Sequence, residues 1–313
     1  MHSYEKIKAA LFGMAIGDAL GVPFEFERRG TFEATGYHVD ADYGGVPVRS
    51  RWKGIVPFGA WSDDTSMALA MMDAIIDEGG KLDMKTMMVK FLEWWNKGDN
   101  CSLNKPFGLG GCIHKSMRRF VKGVDIEKCG GAREDENGNG SLMRILPLAF
   151  TNFTDDEIRK TSSVTHAHEL STEACVVYVS IARDILAGCD IRTAIERAVA
   201  KTNVEIYKDL SYYMSIPSDE VESSGFVVHT LKTALWCVCN TTSYKDAVLQ
   251  AVNFGYDTDT VACVAGGLAG IIYGINEDDG IPQTWIDATL KMDFIEEKCR
   301  RFEKVVKLKA YPP

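Results

Sequence analysis

The chain carries 313 residues, 46% of them hydrophobic and 25% charged, with a net charge of −9. That length serves one large core or two modest ones, and the proportions are those of a soluble globular protein. The negative balance argues against a nucleic-acid backbone as the main partner and leaves a modified nucleic acid conceivable only as a substrate.

From the N-terminus, residues 4–20 carry Ile7, Ala10, Leu11, Met14 and Ala15 at helical spacing, and Gly21 and Pro23 end the pattern. Residues 27–61 hold Gly, Pro and aromatic residues without a period and read as a long loop, with at most a hairpin in 31–56; loops of that length are often functional covers. Helices are predicted over 62–78, 83–97, 109–122 and 141–150, then over 154–163, 168–187 and 190–201. The 203–222 stretch reads as loop. Helices resume at 225–239, 244–254 and 260–273, and one or two more cover 283–308. No linker or repeat divides the chain, so the expectation is an all-α, compact single-domain, multi-helix protein over residues 1–313.

Nine cysteines are scattered without a CxxC pair, which reads as buried thiols in a reducing cytoplasm. Residues 1–8 lack a signal-peptide core, and the uncharged run 261–273 is too short to span a bilayer. A cytoplasmic monomer without a membrane partner is therefore expected.

Two acidic clusters stand at helix heads. Gly255-Tyr256-Asp257-Thr258-Asp259-Thr260 runs into an apolar segment of small residues with no charge until Glu277. A helix apolar all round is buried, and it would draw its carboxylates inside, where unpaired charge is costly. Ser62-Asp63-Asp64-Thr65 opens a second apolar segment. Either cluster alone also reads as an ordinary N-cap. Two such heads face to face would offer four carboxylates and three hydroxyls, because first-turn side chains lean back towards the helix axis, and such a set suits two Mg²⁺ or Mn²⁺ ions.

Three weaker signals accompany them. Asn137-Gly138-Asn139-Gly140-Ser141 is a glycine-rich turn ahead of a predicted helix, either only a turn or a phosphate cradle. Thr165-His166-Ala167-His168 offers two histidines without helical zinc spacing, so a hydrogen-bonding or surface role competes with ligation. Glu25 sits among apolar residues that would raise its pKa, marking it as an acid or base unless it is an unremarkable glutamate after a helix end.

In order along the chain, Gly17-Asp18-Ala19-Leu20-Gly21-Val22-Pro23-Phe24-Glu25, Ser62-Asp63-Asp64-Thr65, Gly138-Asn139-Gly140-Ser141-Leu142-Met143-Arg144, Thr165-His166 and Gly255 to Thr260 resemble the motifs of the ADP-ribosylglycohydrolases. The resemblance spans residues 13–274. It implies an all-α fold with a binuclear Mg²⁺ or Mn²⁺ centre at the base of an ADP-ribose cleft, and a hydrolase that cleaves the C1″ linkage of ADP-ribose. In that reading Ser62, Asp63 and Asp64 hold one ion, Asp257 and Thr260 the other, and Asp259 both. Gly138, Asn139, Gly140 and Ser141 hold the pyrophosphate, His166 contacts the ribose or phosphate side, and Glu25 is the mobile-loop glutamate and catalytic candidate.

Two departures stand out. Some members carry an aspartate in a Phe-Asp-Ile-Gly segment where this chain has Phe107-Gly108-Leu109-Gly110, and Ser62 replaces the more usual threonine. A non-catalytic ADP-ribose-binding relative and a binuclear phosphohydrolase of nucleotides are the competing readings. The acceptor (arginine, serine, nucleobase, phosphate or acetyl ester) stays open.

Overall fold

Gly13, Gly17 and Gly21 recur at every fourth position of the first helix and lay one bare stripe along it. The computed structural model describes residues 3–37 and 51–306, and in it this stripe meets a matching one near the other end of the chain. A β-carbon on Gly13 would lie 2.2 Å from the carbonyl oxygen of Gly266, on Gly17 2.1 Å from that of Ala262, and on Gly270 2.2 Å from that of Ala9. The paired numbers run in opposite senses. Helices α1 (Ser3–Gly21) and α11 (Thr258–Tyr273) are thus antiparallel and backbone-close, a contact that only missing side chains permit.

The remaining helices wrap this pair: α2 (Asp63–Asp77), α3 (Met84–Lys97), α4 (Gly111–Val121), α5 (Asp155–Ser163), α6 (Glu169–Leu186), α7 (Ile191–Lys201), α8 (Leu210–Tyr213), α9 (Val227–Cys239), α10 (Tyr244–Asn253), α12 (Gln283–Ala288) and α13 (Met292–Val305). Among the described residues there is no sheet, only isolated bridges such as Gly131 with His166 and Gly138 with Phe226. The all-α expectation holds. Lys298 of α13 pairs with Asp73 of α2, and Asn100 donates to Asp73 at 2.9 Å, which pins the outer layer to the inner one.

Two sequence expectations change, and a third lies largely outside the described residues. No α-helix forms over 141–150. Pro147 lacks an N–H, and the Arg144 side chain takes the Gly140 carbonyl, so the segment is a turn followed by a short 3₁₀ stretch, Leu146–Phe150. The 203–222 stretch is not structureless but holds Glu205–Tyr207, Leu210–Tyr213 and Ser218–Glu220 as single turns. The proposed hairpin in 31–56 falls largely on residues 38–50, outside the described residues; its flanks, 31–37 and 51–56, form no strand.

Residues Tyr4–Phe24 are long and apolar enough to cross a membrane by length and composition, with a mean hydropathy of 1.4. Yet 94% of the hydrophobic window is buried within the protein, as expected for a central helix packed on all sides. The nine cysteines are all free.

Candidate active site

The close pairing of α1 and α11 has a chemical consequence at one end. Gly21, where α1 stops, is so near α11 that a β-carbon there would lie 2.4 Å from Asp259 Cα, and Thr258 Oγ1 donates to the Gly21 carbonyl at 2.7 Å. The first turn of α11 is thereby delivered beside the last turn of α1, which carries Asp18.

Asp18 is fully buried and reaches across to the head of α2. Its carboxylate accepts the Ser62 amide at 2.9 and 3.0 Å, the Thr65 amide at 3.0 Å and the Thr65 hydroxyl at 2.7 Å. These are orphan amides that an α-helix cannot satisfy itself, so Asp18 caps α2 from a neighbouring helix. The Ser62 hydroxyl accepts from the Asp64 amide and donates to Asp64 Oδ2 at 2.9 Å.

Carboxylate oxygens of Asp18, Asp64 and Asp259 all lie within 4.8 Å of one another, each residue buried. Asp63 and Asp257 line the adjoining cavity with Thr260. Asp257 is not isolated, because Asn139 Nδ2 donates to its Oδ2 at 2.7 Å and also to Thr230 Oγ1. Burial, followed by the charge of the neighbours, pushes Asp63, Asp64 and Asp259 well above the usual carboxylate range. Burial raises Asp18 to about 6 against the pull of its three donors. Three carboxylates so close cannot all ionise without a positive partner. Asp64 Oδ1 is buried and has no hydrogen-bond partner among the described residues. An orphaned buried oxygen beside two further oxygen donors is what a hard divalent cation would satisfy. The donor set therefore fits Mg²⁺ or Mn²⁺.

Above these carboxylates lies a cavity of about 260 Å³. The Gly138–Gly140 turn, His166 and the start of α4 line it, and the turn packs directly on α4, since a β-carbon on Gly140 would lie 2.9 Å from Ile113 Cδ1. His166 is buried, its Nδ1 2.9 Å from Thr165 Oγ1, and burial followed by the Arg144 charge lowers its pKa to about 3. It is therefore a neutral imidazole at the cavity wall. A β-carbon on Gly140 would lie 2.9 Å from His166 Cε1, so this glycine is required by close approach.

Besides the heads of α2 and α11, the N-terminus of α4 faces the cavity. Gly108, Gly110 and Gly111 line the cavity, and the N-cap Gly110 provides no side-chain cap for the first amides. Such amides, with the positive end of the helix dipole, suit an anion.

Glu25 closes the cavity at the carboxylate end. Its Oε2 accepts from Trp52 Nε1, and Arg51 Nη1 lies 3.6 Å from Oε1. Burial raises its pKa to about 7.

A family model described as ADP-ribosylglycohydrolase matches residues 1–311. This chain belongs to the ADP-ribosylglycohydrolase family. It is 31% identical to the ADP-ribosylarginine hydrolase Tri1 of Serratia proteamaculans, over 94% of this chain and 77% of that protein. It is 28% identical to the ADP-ribosyl-[dinitrogen reductase] glycohydrolase of Rhodospirillum rubrum, over 95% and 94%. Among solved structures, an ADP-ribosylglycohydrolase-related protein complex superposes with a TM-score of 0.78 at 27% identity, covering 97% of this chain and 99% of that one.

Within this glycohydrolase fold, the residues singled out from sequence do not all reach the cavity. Glu25, Asp63, Asp64, Gly138, Asn139, Gly140, His166, Asp257, Asp259 and Thr260 line it. Ser141 does not; it is fully buried, bonded to Ser162 Oγ at 2.8 Å. Ser62 stands behind Asp64 as its cap and hydrogen-bond partner, and Asn139 spends its amide on Asp257 and Thr230.

Sequence reasoning assigned no role to Asp18, to the Gly110–Gly111 pair or to Arg144. Arg144 is fully buried, lies 4.9 Å over the Phe91 ring and donates to Thr165 Oγ1 at 2.8 Å and to the Gly140 carbonyl. It holds the Gly140 turn and Thr165, the neighbour of His166, in one frame. A buried arginine just after a glycine-rich turn was the available signal.

Proposed function

We propose that this chain is a divalent-cation-dependent hydrolase that releases ADP-ribose by cleaving its C1″ linkage to an acceptor. The carrying observation is the orphaned Asp64 Oδ1 among three mutually close buried carboxylates at the base of the cavity. Asp64 and Asp259 would hold the cation or cations together with Asp63, Asp257 and Thr260, with Asp18 positioning the Asp64 turn. A bound cation supplies Lewis acidity and an oriented water or ribose hydroxyl.

The α4 amides and the Gly138–Gly140 turn bind the anionic diphosphate. His166, neutral, hydrogen-bonds without adding charge beside it. As the C1″ bond breaks, positive charge grows on the ribose, and the neighbouring carboxylates stabilise it. Glu25, which lines the cavity beside the carboxylates, takes a proton from the attacking water and returns it to the departing acceptor atom. The relatives named ADP-ribosylarginine hydrolase support arginine as the acceptor.

Gly108 favours a second reading, a non-catalytic ADP-ribose binder. Its φ is +90°, and a β-carbon there would lie 2.1 Å from Asp63 Oδ1, so no side chain fits without displacing Asp63. The carboxylate that some family members carry at the matching position is thus absent, and Glu25 must serve alone.

The test is product analysis with ADP-ribosyl-arginine, ADP-ribosyl-serine and O-acetyl-ADP-ribose, each with Mg²⁺, Mn²⁺ or EDTA. Cation-dependent release of free ADP-ribose supports the hydrolase. Binding without turnover selects the second reading, and release of phosphate or AMP would point to a phosphohydrolase.

A further inference from the structure

Behind Glu25, which lines the cavity, an arginine of the chain itself lies over two aromatic rings and beside that glutamate. The Arg51 guanidinium carbon is 4.6 Å from the Trp52 ring centroid and 5.4 Å from that of Phe26, and Nη1 is 3.6 Å from Glu25 Oε1. Trp52 Nε1 donates to the other oxygen of the same carboxylate. Glu25 and Phe26 line the cavity, and Glu25 is the strongest charged neighbour of Asp259. Glu25 thus links this planar cation to the carboxylates at the base of the cavity.

Two features set the arrangement apart from a structural ion pair. Phe26 is 59% exposed and its φ is +66°, a left-handed conformation that is an outlier for a bulky residue. Folding gains little from an exposed ring in a strained backbone, so the strain points to use. The strain is enforced by the site. The Phe26 amide donates to the Tyr256 carbonyl at 2.6 Å, and the Tyr256 amide to the Glu27 carbonyl at 2.7 Å, tying the ring's position to the segment that carries Asp257 and Asp259. Second, the Arg51 side chain is half exposed, and exposed ion pairs and cation–π contacts are weak enough to be exchanged.

We propose that Phe26, Trp52 and Glu25 form the acceptor subsite for a guanidinium, and that Arg51 occupies it in the free protein and leaves when an ADP-ribosylated arginine binds. The proposal rests on the hydrolase reading above and adds to it the side chains that recognise the acceptor. The aromatic faces accept a planar delocalised cation and discriminate against a compact ammonium or a neutral hydroxyl. Arg51 sets the threshold, since the substrate must displace it.

The test uses methylguanidine and methylamine as probes, with saturation-transfer NMR on the full chain. Arg51→Gln should bind methylguanidine about three- to ten-fold more tightly than the wild type, the worth of one exposed ion pair plus one cation–π contact. Its KM for ADP-ribosyl-arginine should fall in the same direction. Methylamine should gain nothing. Phe26→Asn in the Arg51→Gln background removes the ring while suiting the left-handed backbone, and should abolish the gain.

Equal methylguanidine binding by wild type and Arg51→Gln, or a gain that survives Phe26→Asn, would overturn the subsite. So would the absence of methylguanidine binding to Arg51→Gln in a protein that still releases ADP-ribose, and that outcome would leave the hydrolase standing. Failure to release ADP-ribose from any substrate would count against the hydrolase alone, because the probe measurement needs no turnover.

Discussion

Asp18 accepts both the amide and the hydroxyl proton of Thr65, at 3.0 and 2.7 Å, across two helices 47 residues apart in sequence. One carboxylate thus fixes the head of α2 relative to the end of α1 and adds its charge to the cluster that includes Asp64 and Asp259. Replacing it with alanine leaves three donors without their acceptor. Asp18→Ala is expected to lose about 1–3 kcal/mol of stability, the usual cost of stranding buried donors. It should also lose most of the thermal stabilisation that Mg²⁺ or Mn²⁺ confers. Calorimetric scans with cation and with EDTA check this; an undiminished cation-induced rise in Tm would show that Asp18 has no part in arranging the site.

The contact of Gly17 with Ala262 sets the same geometry from the backbone side. A β-carbon at 17 would lie 2.1 Å from the Ala262 carbonyl oxygen, and backbone cannot rotate away as a side chain can. Gly17→Ala should push α1 off α11 and cost about 1–3 kcal/mol, the range for overpacking a tight core. It should lower kcat more than its loss of stability explains, because Asp18 and Asp259 move apart. Full activity measured below the variant's Tm would disconnect the helix contact from the site.

Asp259 and Asp156 make a matched pair for turnover. Asp259 is buried in the cluster, whereas Asp156 is exposed on α5, paired with Arg159 at 3.0 Å. Asp259→Asn should abolish ADP-ribose release, while Asp156→Asn should stay within about 0.5 kcal/mol of the wild type in stability and keep its turnover. Near-normal kcat in Asp259→Asn would remove Asp259 from the proposed ligands.

How much of this was legible in the chain follows from where each signal resides. Asp63, Asp64, Asp257 and Asp259 come in clusters at the heads of apolar helices, and that local pattern is readable because burial of the segment follows from its composition. Asp18 is a lone carboxylate inside an apolar helix, and its partners at 62 and 65 are defined only by tertiary packing. The glycines at 13, 17 and 21 are periodic, but their partner stripe at 266 and 270 lies more than 200 residues away. The Gly110–Gly111 helix start was hidden because the Gly138–Gly140 turn has the more familiar look of a phosphate loop. That turn does reach the cavity, yet no helix follows it, since Pro147 and the Arg144 side chain remove the necessary bonds. The Arg51 arrangement joins two parts of a region without periodicity, which no pattern along the chain reveals.

The acid cluster also makes stability depend on pH. Burial raises Asp18 from 3.8 to about 6 and Glu25 from 4.5 to about 7, with Asp63, Asp64 and Asp259 raised as well. Without a cation, the folded protein therefore holds protons that the unfolded chain has already released. Their contribution is fully present below the unfolded carboxylate values and is lost as pH rises through the folded ones. His166 works in the opposite direction. Depressed from 6.5 to about 3, it favours folding increasingly as pH climbs between those values, and its slope dies away over about one unit above 6.5. Between pH 6.5 and 8 the falling carboxylate contribution outweighs the last of the His166 one, so EDTA-treated protein should lose about 1 kcal/mol or more across that interval. Added Mg²⁺ or Mn²⁺ replaces the protons and should flatten the dependence, giving its largest rise in Tm at pH 8. Urea titrations at pH 6.5, 7.2 and 8.0, with and without the cation, measure both slopes. A cation-free stability that climbs with pH over this range would mean that the carboxylates are already balanced by protein charges and need no cation.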